Sequence, residues 1–119
     1  MKKVIGGLIA GAVLAFSAMT AQADDAVKFG VAAEPYPPFS SKDASGTWVG
    51  FEMDLMKAVC EAEKLNCQLV EVAWDGIIPA LTEKKIDVIW SSMSRTAERR
   101  KVIDFTDMYY DSANTMIGL

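Results

Sequence analysis

The chain has 119 residues, a formal net charge of −4 and no histidine. An acidic balance lacks the basic face that nucleic acid requires, and without histidine no Ser–His or Cys–His nucleophile pair can form. A chain of this size builds one small domain with a modest core.

The amino end reads as a secretory signal. Met1-Lys2-Lys3 is a short positive region, Val4 to Met19 is almost uncharged, and Ala21-Gln22-Ala23 is a small-x-small cleavage pattern. Cleavage is expected after Ala23. A membrane anchor fits less well, because the run is short for a span of roughly 20 residues and acids follow it at once. Neither cysteine lies near the cut, which disfavours a lipoprotein. Without residues 1–23 the chain has 96 residues, and the loss of two lysines moves its charge from −4 to −6. Export places Cys60 and Cys67 in an oxidising compartment, where a pair reads as a disulfide. A metal site would need further ligands that the chain does not offer.

In the mature part, Val27 to Val31 alternates and predicts the first strand. Ala32 to Phe39 holds Pro35, Pro37 and Pro38, which exclude both a helix interior and a central strand. Ser40 to Gly46 is turn-rich, and Thr47-Trp48-Val49 suits a short edge strand. From Phe51 the apolar period becomes helical, with Phe51, Leu55, Met56, Val59, Cys60 and Ala62 on one face. That helix is expected to end near Leu65-Asn66, with Asn66 as a left-handed cap. Cys67 to Val72 predicts the second strand. Asp75 is a candidate N-cap for a second helix from Ile77 to Lys84 or Lys85, with Pro79 tolerated early in it. Ile86 to Trp90 is apolar enough for a central strand. Ser91 to Arg95 is a polar loop, and Thr96 caps a third helix to about Val102. Ile103 to Thr106 is extended, and Thr115 to Leu119 completes a β–α–β–α–β–α–β order. Such alternation predicts an α/β fold: a mostly parallel sheet with right-handed crossovers and helices on both faces. Ligands then bind beyond the carboxyl ends of the strands.

The loops at that end carry Tyr36, Trp74, Ser91, Ser92, Ser94 and Arg99. These types suit an α-amino acid: its carboxylate wants a guanidinium fork, hydroxyls and free N–H groups, and its side chain wants aromatic walls.

Five segments occur in order: Glu34-Pro35-Tyr36-Pro37-Pro38-Phe39, Val49-Gly50-Phe51-Glu52-Met53-Asp54-Leu55, Trp74-Asp75-Gly76-Ile77-Ile78-Pro79-Ala80-Leu81, Ile86 to Arg99, and Asp104-Phe105-Thr106-Asp107-Met108-Tyr109-Tyr110. Together they resemble the periplasmic polar amino-acid-binding proteins of bacterial ABC importers, above all the lysine/arginine/ornithine-, histidine- and opine-binding group. The resemblance covers residues 27–119. It implies a type II periplasmic-binding-protein lobe, located in the periplasm. It implies Arg99 as the carboxylate clamp, Ser92 and Ser94 with neighbouring Ser91 as ligand contacts, and Tyr36 and Trp74 as an aromatic sandwich. It implies Glu52 as the acid that reaches the far end of a cationic ligand, and Cys60–Cys67 as the subgroup's disulfide. The implied partners are an amino acid and an inner-membrane ABC permease, with no nucleic acid, no cofactor and a monomeric state. Two positions depart from the pattern: Ala33-Glu34 replaces the usual Asp/Thr position, and Met108 stands where proline or lysine is common. The family is two-lobed, so this chain is expected to hold only part of the first lobe.

Each residue also has a plainer explanation. Arg99 could be a solvated cation beside Arg100 and Lys101, and the serines ordinary turn residues. Tyr36 and Trp74 could cover the core rim, and Glu52 in a first helical turn is accounted for by the helix dipole alone. An enzyme of the same fold, a dehydratase of prephenate-like acids, and a non-binding secreted fragment are the competing functional readings.

Overall fold

The computed structural model describes residues 26–113 and 116–118. The expected signal peptide, and Thr115 and Leu119 of the expected last strand, lie outside the described residues. In chain order the elements are β1 (Val27–Ala32), β2 (Ser41–Lys42), β3 (Trp48–Val49), α1 (Phe51–Ala62), β4 (Cys67–Val72), α2 (Ile77–Thr82) and β5 (Val88–Ile89). Two 3-10 turns, Trp74–Gly76 and Arg99–Lys101, complete them.

β1 is the middle strand of a parallel sheet with the order β4-β1-β5. It runs in register with β4 from Val27 opposite Cys67 to Ala32 opposite Val72. Successive side chains of a strand point to opposite faces. On one face a Cβ at Gly30 would meet the side chain of Ile86, which packs with Ile77 and Ala80 of α2. On the other, the Phe29 ring meets Trp90 edge-on at 5.3 Å, and the Trp90 indole N–H donates to the Glu52 carbonyl in α1. The central place expected of Ile86 to Trp90 thus falls to β1, whose pairing on both sides buries it on both faces, while among the described residues β5 lies at the end of the strand order. β2 and β3 form a separate antiparallel hairpin closed by the Asp43 carboxylate, which accepts the Ser45 and Thr47 amides.

Several boundaries differ from the sequence expectation. The third sheet strand covers only Val88–Ile89, because the Ile86 amide belongs to the end of α2, donating to Ala80, and Ile86 itself enters the core. Asp75 lies inside a 3-10 turn and caps nothing; α2 follows Gly76 and ends at Thr82. Lys64, with φ at 54°, takes the left-handed position expected of Asn66. Thr96 does accept the Arg99 amide, but the bonds that follow mix three- and four-residue steps, so only a 3-10 turn forms. Residues 103–106 and 116–118 form no strand.

The disulfide joins Cys60 in the last turn of α1 to Cys67 at the start of β4, with Cα atoms 6.2 Å apart. The other end of α1 is fixed differently. Its first amides have no side-chain cap. Instead Phe51 N–H donates to the Pro38 carbonyl and Glu52 N–H to the Phe39 carbonyl, both at 3.0 Å. These bonds satisfy two donors that a helix start leaves open, and they bind the proline loop to the helix. Gly50 permits that approach: its φ is 126°, and a Cβ there would lie 2.3 Å from the Phe39 carbonyl oxygen.

Gly50→Ala is therefore expected to cost at least about 2 kcal/mol of unfolding free energy, read by denaturant titration. Reduction of Cys60–Cys67 is expected to cost about 2–3 kcal/mol through the loop it closes, read as a lower melting temperature under reducing conditions.

Candidate functional site

Three loops leave the carboxyl ends of the parallel strands: residues 33–39 after β1, 73–76 after β4 and 90–98 after β5. They enclose a cavity of about 480 Å³, a volume suited to a small molecule. Tyr36, Trp74, Ser91, Ser92, Ser94 and Arg99 all line it, so six of the seven binding residues expected from sequence come together. The lining also includes Glu34 and Asp75.

Each loop is held by polar contacts that the local sequence supplies. The Ser91 hydroxyl is buried and accepts the Ala32 amide at 2.9 Å, tying the β5 loop to the end of β1. The Glu34 carboxylate accepts the Trp74 amide at 3.0 Å, tying the β1 loop to the β4 loop. Tyr36 and Ser40 bridge their backbones, and the Tyr36 ring stacks on Phe39 with centroids 5.4 Å apart. The Arg99 guanidinium lies over Trp74, 5.5 Å from the ring centroid, and donates through Nη1 to the Ser94 carbonyl at 2.9 Å. Trp74 thus serves as the plane that aims the fork, a cation–π arrangement that favours arginine over lysine. Among the described residues Arg99 makes no ion pair with a carboxylate. A half-buried guanidinium left in this state inside a cavity is suited to an anionic ligand group.

Glu52 does not line the cavity. It is 0% exposed, and its Oε1 accepts the Ser92 amide at 2.6 Å and the Tyr109 hydroxyl. The family resemblance implied a place for it at the far end of a cationic ligand; its helix turns it into the core, beneath the serine loop. Ser92 has φ at 50°, the left-handed region, and its amide is already used by Glu52. Its hydroxyl and carbonyl are what it can offer a ligand. Sequence reasoning missed Asp75 and Tyr109 as parts of this region and left Glu34 open. An acid beside each of the two aromatic positions was the available signal for Glu34 and Asp75.

Tyr109 is 43% exposed, yet its hydroxyl turns inward onto Glu52. Burial first, and then the hydrogen bond and charge of Glu52, push its pKa well above the ordinary 10.0. A raised folded-state pKa keeps its contribution to stability intact below the unfolded value and loses it as pH climbs beyond. The stability advantage of the wild type over Tyr109→Phe is therefore expected to be full at about pH 9 and to shrink above about pH 10, read by denaturant titration across that range.

Comparison with known proteins identifies the family and the fold. Residues 27–118 match the bacterial extracellular solute-binding proteins, family 3. The L-arginine-binding protein of Pseudomonas aeruginosa is 46% identical over 113 residues, covering 94% of this chain and 42% of that protein. The histidine-binding periplasmic protein of Salmonella typhimurium is 42% identical over 119 residues, covering 98% of this chain and 45% of that protein. The chain thus spans less than half the length of these curated relatives. The arginine-bound form of domain 1 from TmArgBP superposes with a TM-score of 0.67 at 42% identity, covering 71% of this chain and 67% of that one. Such neighbours are type II periplasmic-binding-protein lobes, and the parallel sheet described above is part of one. The chain belongs to the bacterial extracellular solute-binding proteins, family 3.

Proposed function

We propose that this chain is the ligand-binding part of a periplasmic amino-acid-binding protein serving an ABC importer, and that it holds a basic amino acid, or an opine built on one, without acting on it chemically. The charge set of the cavity carries the proposal. One guanidinium, Arg99, faces two carboxylates, Glu34 and Asp75, with Tyr36 and Trp74 as apolar walls. A basic amino acid presents the complement: one carboxylate, an α-ammonium and a cationic side chain. Arg99 clamps the ligand carboxylate beside Ser94, the hydroxyl and carbonyl of Ser92 meet its polar end, and the aromatic rings hold its aliphatic stem. Glu34 and Asp75 take over the charge selection that the family resemblance implied for Glu52. The names of the relatives, arginine- and histidine-binding, support the same ligand class, and the isolated arginine-bound domain of TmArgBP supports binding by a single lobe. That these relatives are named as binding proteins supports a binding role over catalysis. In the complete two-lobed protein the lobes close on a hinge over the ligand, and the closed form docks on the permease.

Calorimetric titration with arginine, lysine, ornithine, histidine and glutamate tests this reading. The basic amino acids are expected to bind and glutamate is not. Arg99→Ala should weaken arginine binding by at least about thirtyfold, the scale of a lost charge-assisted fork; unchanged affinity refutes the clamp. Glu34→Gln and Asp75→Asn, both at exposed positions, should each weaken arginine roughly threefold, and less at high salt.

A further inference from the structure

We infer that Glu52 is a positioning residue: its buried carboxylate holds Ser92 in the left-handed conformation that sets the serine loop along the cavity, and it ties that loop to Tyr109. For ligand affinity the inference rests on the amino-acid reading above; for the conformation of Ser92 it does not.

An acid in the first turn of a helix ordinarily serves the helix dipole from solvent. Glu52 does not. The open amides of its helix are met by the Pro38 and Phe39 carbonyls, and its side chain is 0% exposed. A carboxylate taken from water must recover its lost hydrogen bonds from the protein. This one recovers them from the Ser92 amide, 40 residues along the chain, and from the Tyr109 hydroxyl. Its Oε2 has no partner among the described residues, so both donors converge on Oε1. Ser92 is not glycine and has φ at 50°, a conformation that costs a residue with a side chain and persists only where neighbours impose it. The charge-assisted bond from its amide is the imposing contact. A second clasp lies beside it: Trp90 donates to the Glu52 carbonyl at 2.7 Å and stacks on Tyr109 with an interplanar angle of 6°. Among the described residues Ser92 is the one member of the cavity lining to which Glu52 is hydrogen-bonded, so its effect on a ligand passes through that residue.

The test is amide hydrogen exchange at Ser92, followed by NMR on the full chain, together with arginine titration of Glu52→Leu, Glu52→Gln and Tyr109→Phe. In Glu52→Leu the Ser92 amide should lose its protection and arginine affinity should fall about tenfold or more. Glu52→Gln keeps an acceptor oxygen and should recover Ser92 protection and most of the lost affinity. Tyr109→Phe should speed Ser92 exchange by less than Glu52→Leu does. Native-like Ser92 exchange in a folded Glu52→Leu chain overturns the inference. Should that variant not fold, an unprotected Ser92 in Glu52→Gln or unchanged Ser92 exchange in Tyr109→Phe overturns it instead. A wild-type chain that binds no basic amino acid refutes the amino-acid reading alone, since the exchange measurement still decides the role of Glu52. A wild type that binds, with an equal Glu52→Leu, refutes the positioning role alone.

Discussion

β1 pairs along both edges and is buried on both faces, and the placement of every cavity residue follows from that. A strand confined in this way can leave the sheet only at its ends, so its carboxyl end at Ala32 becomes a fixed origin. The Ala32 amide is met by the Ser91 hydroxyl and the Ala33 amide by the Val72 carbonyl. The first of these contacts comes from the loop after β5 and the second from the end of β4. The three loops around the cavity are thereby set against one another by bonds to one short stretch of backbone, before any side chain of the site is considered. The cis peptide between Pro37 and Pro38 lies in the loop that continues from there.

The same logic extends outward through α1. Its first turn makes backbone contacts to the proline loop, a carbonyl contact to Trp90 and a carboxylate contact to the Ser92 loop. One helical turn thus spans two of the three loops around the cavity. Gly50 is the condition for the first of these, since any side chain there would collide with the Phe39 carbonyl. Burial of Glu52 is the condition for the last. A carboxylate in this position is costly to desolvate and rewarded only by donors that point at it, so it specifies one arrangement of Ser92 and Tyr109 more sharply than an apolar residue of the same size would.

The site itself is built from two kinds of group. Tyr36 and Trp74 are aromatic planes, the first stacked on Phe39 and the second lying under the Arg99 guanidinium that it aims. Arg99 is half-buried and Glu34 and Asp75 are exposed, so the interactions of these charges are open to screening.

Much of this was legible in the sequence, for identifiable reasons. Alternation in Val27 to Val31, the helical period from Phe51, the prolines of the first loop and the Cys60–Cys67 spacing report local physics, and the elements they predict are present. Tyr36, Trp74, the serines and Arg99 follow strand ends, and in a parallel sheet that alone carries them to one edge. The sequence could not show which way Glu52 turns, because a carboxylate on the first turn of a helix satisfies the dipole whether it faces solvent, ligand or core. Nor could it show that Ile86 leaves its strand for the core or that Asp75 joins the cavity instead of capping α2. Glu52 turns inward because the Ser92 amide and the Tyr109 hydroxyl reach it from 40 and 57 residues away, and Ile86 turns to the core because α2 and Gly30 of β1 meet there; only the packed tertiary structure brings those partners together.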